Sequence, residues 1–210
     1  MNPPFRLYVI TDRRLAPDGD LPALVGRALQ GIPADSVGVQ LREKDLGADA
    51  LLSLARDVLA VTRPAGVPLL INDRVDVALA AGADGVHLAG HSLPAAEARD
   101  LLGSDRYLAA STHDLAQARA AVSGGCDFVT FGPVFHTPSK ASMGSSLGLG
   151  GLREACAALA PFPLVALGGV TPDNAAECHA AGAAGVSVIR AVLSAPDPAA
   201  ACRALIVADE

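Results

Sequence analysis

AGADGVHL at 81–88, GGCDFVTF at 124–131 and AGAAGVSV at 181–188 share one grammar. In each, a helical stretch ends at glycine, a small turn follows and an apolar strand begins. Glycine enters the left-handed conformation that closes a helix without steric penalty. Three uses of one helix-to-strand turn imply a repeated βα unit. Working outward, short runs rich in Val, Ile and Leu fall at 6–10, 37–41, 68–71, 84–88, 107–111, 127–131, 163–167 and 185–188. Amphipathic stretches lie between them at 21–31, 48–62, 74–82, 94–102, 114–123, 149–159 and 172–181, with a last helix over 197–206. Strands alternating with helices imply a parallel sheet. A doubly wound open sheet could use the same turn. Eight strands and the absence of GxGxxG after the first favour closure. The expected fold is therefore α/β, a (βα)8 TIM barrel forming a single domain over 1–210.

Composition agrees. Hydrophobic residues make up 51%, enough to fill a barrel and its helical coat, but aromatics are 3% and Trp is absent. The core must be built from Val, Leu, Ile and Ala, which suit a sheet covered on both faces. A net charge of −6 argues against a nucleic-acid surface. It leaves room for a phosphorylated small molecule, which needs only a few local cations and amides. Cys126, Cys156, Cys178 and Cys202 form no CxxC pair, so free thiols in a reducing, cytoplasmic setting are expected. The start Met1-Asn2-Pro3-Pro4 is unlike a secretory signal, and no 18-residue apolar run suggests a membrane span.

The polar residues gather where strands end, the face on which barrel enzymes carry their chemistry. In VQLREKDL (39–46), Gln40, Arg42 and Lys44 alternate and would face the barrel mouth, with Glu43 pointing outward. Arg42 and Lys44 together suit a diphosphate, or else pair with Glu43, Asp45 or Asp73. LLIND (69–73) supplies Asn72 as donor and acceptor and Asp73 as a hard oxygen ligand for Mg2+. Asp73 could equally cap the following helix. His87 reads as a packed histidine. Ser111 and His113 sit where a strand meets a helix start, with Asp114 as its cap. The segment 132–148, GPVFHTPSKASMGSSLG, is too long for a minimal turn and reads as a mobile active-site loop. Its Thr137, Ser139 and Lys140 form a plausible anion clamp, while His136 reads as solvated. Gly168 and Gly169 would let backbone amides approach a ligand. Ser187 and Ile189 would line a phosphate site at a short helix start after the last strand.

Together VQLREKDL, LLINDRVDVALAAGADGVHL, STHDLAQA, FGPVFHTPSK, ALGGVTPDN and AGAAGVSVI resemble the thiamine phosphate synthase/TenI superfamily, over about residues 7 to 195. The resemblance implies an enzyme that joins hydroxymethylpyrimidine diphosphate to thiazole phosphate, releasing diphosphate with Mg2+. The implied route is dissociative, with diphosphate leaving first and the thiazole nitrogen capturing a pyrimidine cation. By the same resemblance, Gln40, Arg42, Lys44 and Asn72 bind the pyrimidine diphosphate and Asp73 binds Mg2+. Ser111, Thr137, Ser139 and Lys140 make further phosphate contacts, and Gly169, Ser187 and Ile189 hold the thiazole phosphate. Lys140, Arg42, Lys44 and His113 are the implied catalytic set.

One motif departs. Where the family reads like HLGQxD and ends on a second carboxylate for the metal, this chain reads HLAGHS, with Ser92 in that place and His91 before it. The departure keeps two alternatives open. One is a TenI-like thiazole tautomerase, with a histidine at the place of His113 as acid and base. The other is a non-catalytic binder of a thiamin intermediate. Phosphorylated small molecules are the expected partners, with no nucleic acid and no membrane; a homo-oligomer is left open.

Overall fold

The structure is a computed structural model and describes residues 5–137 and 146–206. Eight strands run parallel in sequence order and close: β1 (Leu7–Ile10), β2 (Val37–Leu41), β3 (Leu69–Asn72), β4 (Gly85–Leu88), β5 (Tyr107–Thr112), β6 (Phe128–Phe131), β7 (Leu164–Leu167) and β8 (Gly185–Val188). β1 completes the ring by pairing with β8, Tyr8 opposite Ser187. The helices are α1 (Leu21–Leu29), α2 (Ala48–Thr62), α3 (Val75–Ala81), α4 (Ala95–Leu102), α5 (Leu115–Ser123), α6 (Gly148–Leu159), α7 (Ala175–Ala180), the one-turn α8 (Arg190–Leu193) and α9 (Pro198–Leu205). Each expected strand is present within two residues of its expected ends. The open-sheet alternative is excluded by the β1–β8 pairing. No helix among the described residues is long and apolar enough to cross a membrane.

The three repeated junctions have one geometry. Gly82, Gly125 and Gly182 take φ of 67°, 82° and 100°. The amide after each reaches five residues back into the preceding helix: Ala83 to Ala78, Cys126 to Ala121 and Ala183 to Cys178, at 2.9–3.1 Å. This is the helix-terminating bond of a left-handed C-cap. Asp84 and Asp127 add a further tie, each accepting from the amide at or near the start of the preceding strand, Leu69 and Leu108, at 2.8 Å. The third copy carries Ala184 at that place and cannot make this tie. At the other helix ends, Asp20, Asp114 and Asp197 cap α1, α5 and α9 by accepting an amide proton three residues on.

Two cores follow from the two-residue period of the strands. Outward residues such as Val9, Val39, Ile71, Val86, Val129 and Val186 pack under the helices. Tyr8, Leu70, Ala109 and Val165, one from each odd strand, form an interior layer with Phe5 and Phe128. Below it, glycines make room: a Cβ on Gly38 would stand 2.6 Å from the Phe5 ring, and one on Gly85 2.2 Å from the Tyr107 carbonyl. The next layer toward the carboxyl ends comes from the even strands and is polar: Gln40, His87, Thr130 and Ser187, all buried. The barrel is thus apolar at its base and polar beneath its catalytic rim, the layering expected of a packed interior.

Candidate active site

The first βα loop decides what Arg42 and Lys44 can do. Thr11 Oγ1 donates to Glu43 Oε1 at 2.7 Å and accepts from the Arg42 amide at 2.9 Å. Glu43 Oε1 also takes the Arg13 amide at 3.0 Å, and Oε2 the Arg13 guanidinium at 3.3 Å. Arg13 then reaches Asp45 with both terminal nitrogens, at 2.5 and 2.8 Å. Glu43 is therefore not an outward, solvated group, as its place in the alternation suggests, but a buried one. A carboxylate survives burial when several donors meet it, and the β1 loop provides them. The local alternation stops at Leu41, where β2 ends.

Arg13 thereby occupies the two carboxylates adjacent in sequence to Arg42 and Lys44. Neither the Arg42 nor the Lys44 side chain makes a hydrogen bond or ion pair to another described residue. Arg42 is half-buried over the mouth, and desolvation lowers its pKa. Its charge is the first cause of the lowered pKa of Lys44, followed by desolvation, with Asp73 opposing them. Two neighbouring cations whose side chains are unpaired among the described residues form a local anion site within an acidic chain.

Beneath them lies the polar layer. Gln40 Nε2 donates to Asn72 Oδ1 at 3.0 Å, and Gln40 Oε1 is buried without a partner. Such an acceptor is costly to leave unmet, so a donor arriving from above would be welcome. His87 bridges Ser111 Oγ at 2.9 Å and the Tyr8 hydroxyl at 3.4 Å. Burial, with a smaller contribution from Arg42, holds its pKa at about 3. It is a neutral, packed histidine, as the sequence suggests, yet it also fixes the orientation of Ser111. That link between β4 and β5 has no local sequence signature.

Asp73 follows β3 with φ 69°, a left-handed conformation that side chains rarely adopt. Its amide donates to the His87 carbonyl at 2.9 Å. The N-cap residue of α3 is Arg74, and no side chain caps that helix. The capping alternative for Asp73 is thus not realised. Its carboxylate instead faces His91, Nε2 to Oδ2 at 3.6 Å. Ser92 is committed to its own turn, its Oγ accepting from the Ala89 amide at 2.7 Å. No cluster of three or more His, Cys, Asp or Glu able to hold a metal exists among the described residues. Mg2+, however, often takes one or two carboxylates with water and substrate phosphate. The Asp73 carboxylate, with His91 at 3.6 Å as its one ion-pair partner among the described residues, fits that mode beside an anion site.

His113, beyond β5, has Nδ1 2.5 Å from the Gly132 carbonyl. A carbonyl only accepts, so Nδ1 is the nitrogen that donates here. Asp114 caps α5 as expected.

Gly168 and Gly169 both have positive φ, 100° and 67°, and the side that a Cβ would take is filled by the chain itself. A Cβ on Gly168 would meet Pro133 at 2.7 Å, and one on Gly169 would meet Phe135 at 2.7 Å and the His136 carbonyl at 2.8 Å. Val134 and Phe135 donate to the Leu167 and Gly168 carbonyls at 2.8 and 3.0 Å. The glycines therefore seat the start of the β6 loop. Ser187 Oγ is buried and donates to the Tyr8 carbonyl at 3.0 Å. Its hydroxyl is a strand tie. Thr137 is half-buried at the edge of the described chain, and His136 is exposed, as expected. Ser139 and Lys140, with the rest of 138–145 in the expected mobile loop, lie outside the described residues.

All four cysteines are free thiols. Burial raises Cys126 and Cys202 to about 12 and Cys178 to about 11, which makes them poor nucleophiles.

Comparison with known proteins gives the same picture. The family described as "Thiamine monophosphate synthase" matches residues 7–192. A protein named "Putative thiamine-phosphate synthase" from Geobacter sulfurreducens is 52% identical over 96% of this chain and 93% of its own length. A "Thiamine-phosphate synthase" from Roseiflexus castenholzii is 46% identical over 95% of this chain and 86% of its own. Among solved structures, a thiamine phosphate pyrophosphorylase from Pyrococcus furiosus superposes with a TM-score of 0.84 at 34% identity, covering 97% of this chain and 94% of that one. This chain, a closed eight-stranded barrel, belongs to the thiamine monophosphate synthase family.

Proposed function

We propose that this protein is a transferase that condenses hydroxymethylpyrimidine diphosphate with thiazole phosphate to give thiamine phosphate and diphosphate. The observation that carries the reading is the pair Arg42 and Lys44, whose side chains pair with no carboxylate among the described residues while Arg13 takes Glu43 and Asp45. Family membership supports the same activity.

In this reading Arg42 and Lys44 bind the diphosphate of the pyrimidine substrate and stabilise the charge that grows on it as the carbon–oxygen bond breaks. Gln40 and Asn72 hold the pyrimidine ring, the unmet Gln40 Oε1 accepting from a ring amino group. Ser111, oriented by His87, adds a hydroxyl donor. Asp73 is the residue that would hold Mg2+, which when bound supplies further neutralisation of the leaving diphosphate. The thiazole phosphate lies toward the rim after β7 and β8, at Gly169 and Ile189 and the first turn of α8, where barrels commonly bind phosphate; Ser187 braces β8 beneath it. Lys140, with Thr137 and Ser139, completes the anion clamp from the β6 loop. Its role there is to neutralise charge and to keep water from the pyrimidine cation.

The test is turnover of both substrates with Mg2+ and with chelator. Formation of thiamine phosphate and diphosphate, lost on chelation, is the expected result. Conversion of a thiazole carboxylate phosphate alone, indifferent to chelator, would instead support the tautomerase reading, in which His113 Nε2 moves the proton. Binding of either substrate without turnover would overturn both and leave a carrier.

A further inference from the structure

The exposed apolar side chains of the helical coat gather on one flank of the barrel. Among the described residues, the large hydrophobics left exposed are Leu79 (39%), Leu93 (49%) and Leu101 (58%). They lie on α3, in the loop from β4 to α4 and on α4. Single exposed leucines need no account, but a group on neighbouring elements marks a contact surface.

Beside them, a depression of about 290 Å3 opens between α2 and α3. Leu59, Ala60, Pro64 and Ala81 line it, and Arg56 and Arg63 border it. The two arginines are seven residues apart, two turns of one helix, so they share a side. Arg63 donates to the Gly82 carbonyl at 2.9 Å, which places that side against α3. The Arg56 side chain is exposed and makes no hydrogen bond or ion pair to another described residue.

The other side of α3 has the opposite character. Arg99 of α4 reaches the Gly125 carbonyl and Asp127, ahead of β6, and so marks the α5 side of its helix. Glu97 and Leu101 each stand two residues from Arg99, about 200° around the helix, and leave on the α3 side. Asp100 is exposed next to them. With Arg99 committed elsewhere, neither Glu97 nor Asp100 has a cation partner among the described residues. Between the two sides, α3 presents Leu79 and Ala80, and its Asp76 is neutralised by Arg74 at 2.5 and 2.8 Å.

The flank therefore has cations and a hollow on one side of α3, and anions and a projecting leucine on the other. Such a face is complementary to itself. A two-fold axis running along α3 lays α4 of each copy on the α2–α3 hollow of the other, so every contact is made twice. The registers agree. Glu97 precedes Leu101 by four residues, as Arg56 precedes Ala60. Such an axis keeps the facing helices parallel, so seating Leu101 over Ala60 sets Glu97 opposite Arg56, one turn along.

We propose that this chain forms a two-fold homodimer through α2, α3 and α4, with Leu101 of each copy in the hollow of the other and Glu97 paired with Arg56 across the interface. The hollow lies at the carboxyl ends of the helices, away from the strand-end rim, so the pairing leaves the candidate active site open. It is independent of the synthase reading.

The experiment is sedimentation velocity on the whole protein over a micromolar concentration series. The wild type should sediment as a dimer. Leu101→Asp should weaken association about a hundredfold or more, because an apolar hollow does not accept a carboxylate. Arg56→Glu and Glu97→Arg each set like charges opposite one another twice and should weaken it about tenfold or more. Arg56→Glu combined with Glu97→Arg should recover association to within about threefold of the wild type. These positions are exposed, so the variants should fold, which circular dichroism checks. A wild type that stays monomeric over the whole series overturns the proposal. A dimer that Leu101→Asp leaves intact pairs through another face and overturns it as well. So does a double variant that associates no better than its two singles.

Discussion

His87 and Ser111 are joined across β4 and β5, Nε2 to Oγ at 2.9 Å, by an imidazole that burial keeps neutral. The folded pKa of about 3 lies well below the ordinary 6.5, so the unfolded chain binds a proton that the folded chain refuses between those values. Stability is full above pH 6.5 and is lost as pH falls from there toward 3. At pH 5 the loss from this residue should be about 2 kcal/mol. Urea unfolding at pH 7.5 and pH 5 should show a drop that exceeds the drop in His87→Asn by about that amount. Equal slopes in both proteins would remove His87 from the acid response.

Glu43 should matter to stability although it touches no expected substrate atom. Glu43→Ala strands the Thr11 hydroxyl and the Arg13 amide in a buried site and should cost about 3 kcal/mol, measured by denaturant midpoint. Thr11 also holds the Arg42 amide, so the same variant should weaken diphosphate binding several-fold by calorimetry. Wild-type stability would mean that water replaces the carboxylate.

Arg42 should show the opposite balance. It is half-buried and without a carboxylate partner, so it contributes affinity at a cost in desolvation. Arg42→Met should leave stability unchanged or raise it by up to about 1 kcal/mol. Turnover should fall by about a hundredfold or more. A destabilised variant would show that Arg42 is a structural brace.

Gly169→Ala should destabilise the protein by about 1 to 3 kcal/mol, because alanine must hold φ 67° while its Cβ is 2.7 Å from Phe135. Thermal melts should record the loss even without ligand. An unchanged melting temperature would show that the β6 loop gives way to the added Cβ.

The amino-acid sequence alone determined the strand and helix order, the glycine junctions at 82, 125 and 182, the aspartate cap at 114 and the gathering of Gln40, Arg42, Asn72 and Asp73 at strand ends. Those features follow from local rules, a two-residue period in strands and a left-handed turn after helices. What only the tertiary structure decided lies across strands. Glu43 is buried because Arg13, 30 residues earlier, folds over it. Ser187 spends its hydroxyl on Tyr8, 179 residues away, because the barrel closes. Gly169 has Phe135 against the side a Cβ would take, and Asp73 faces His91 rather than capping α3. Spacing along the chain fixes which way a side chain leaves its own strand; the register of neighbouring strands and the path of their loops fix what it meets.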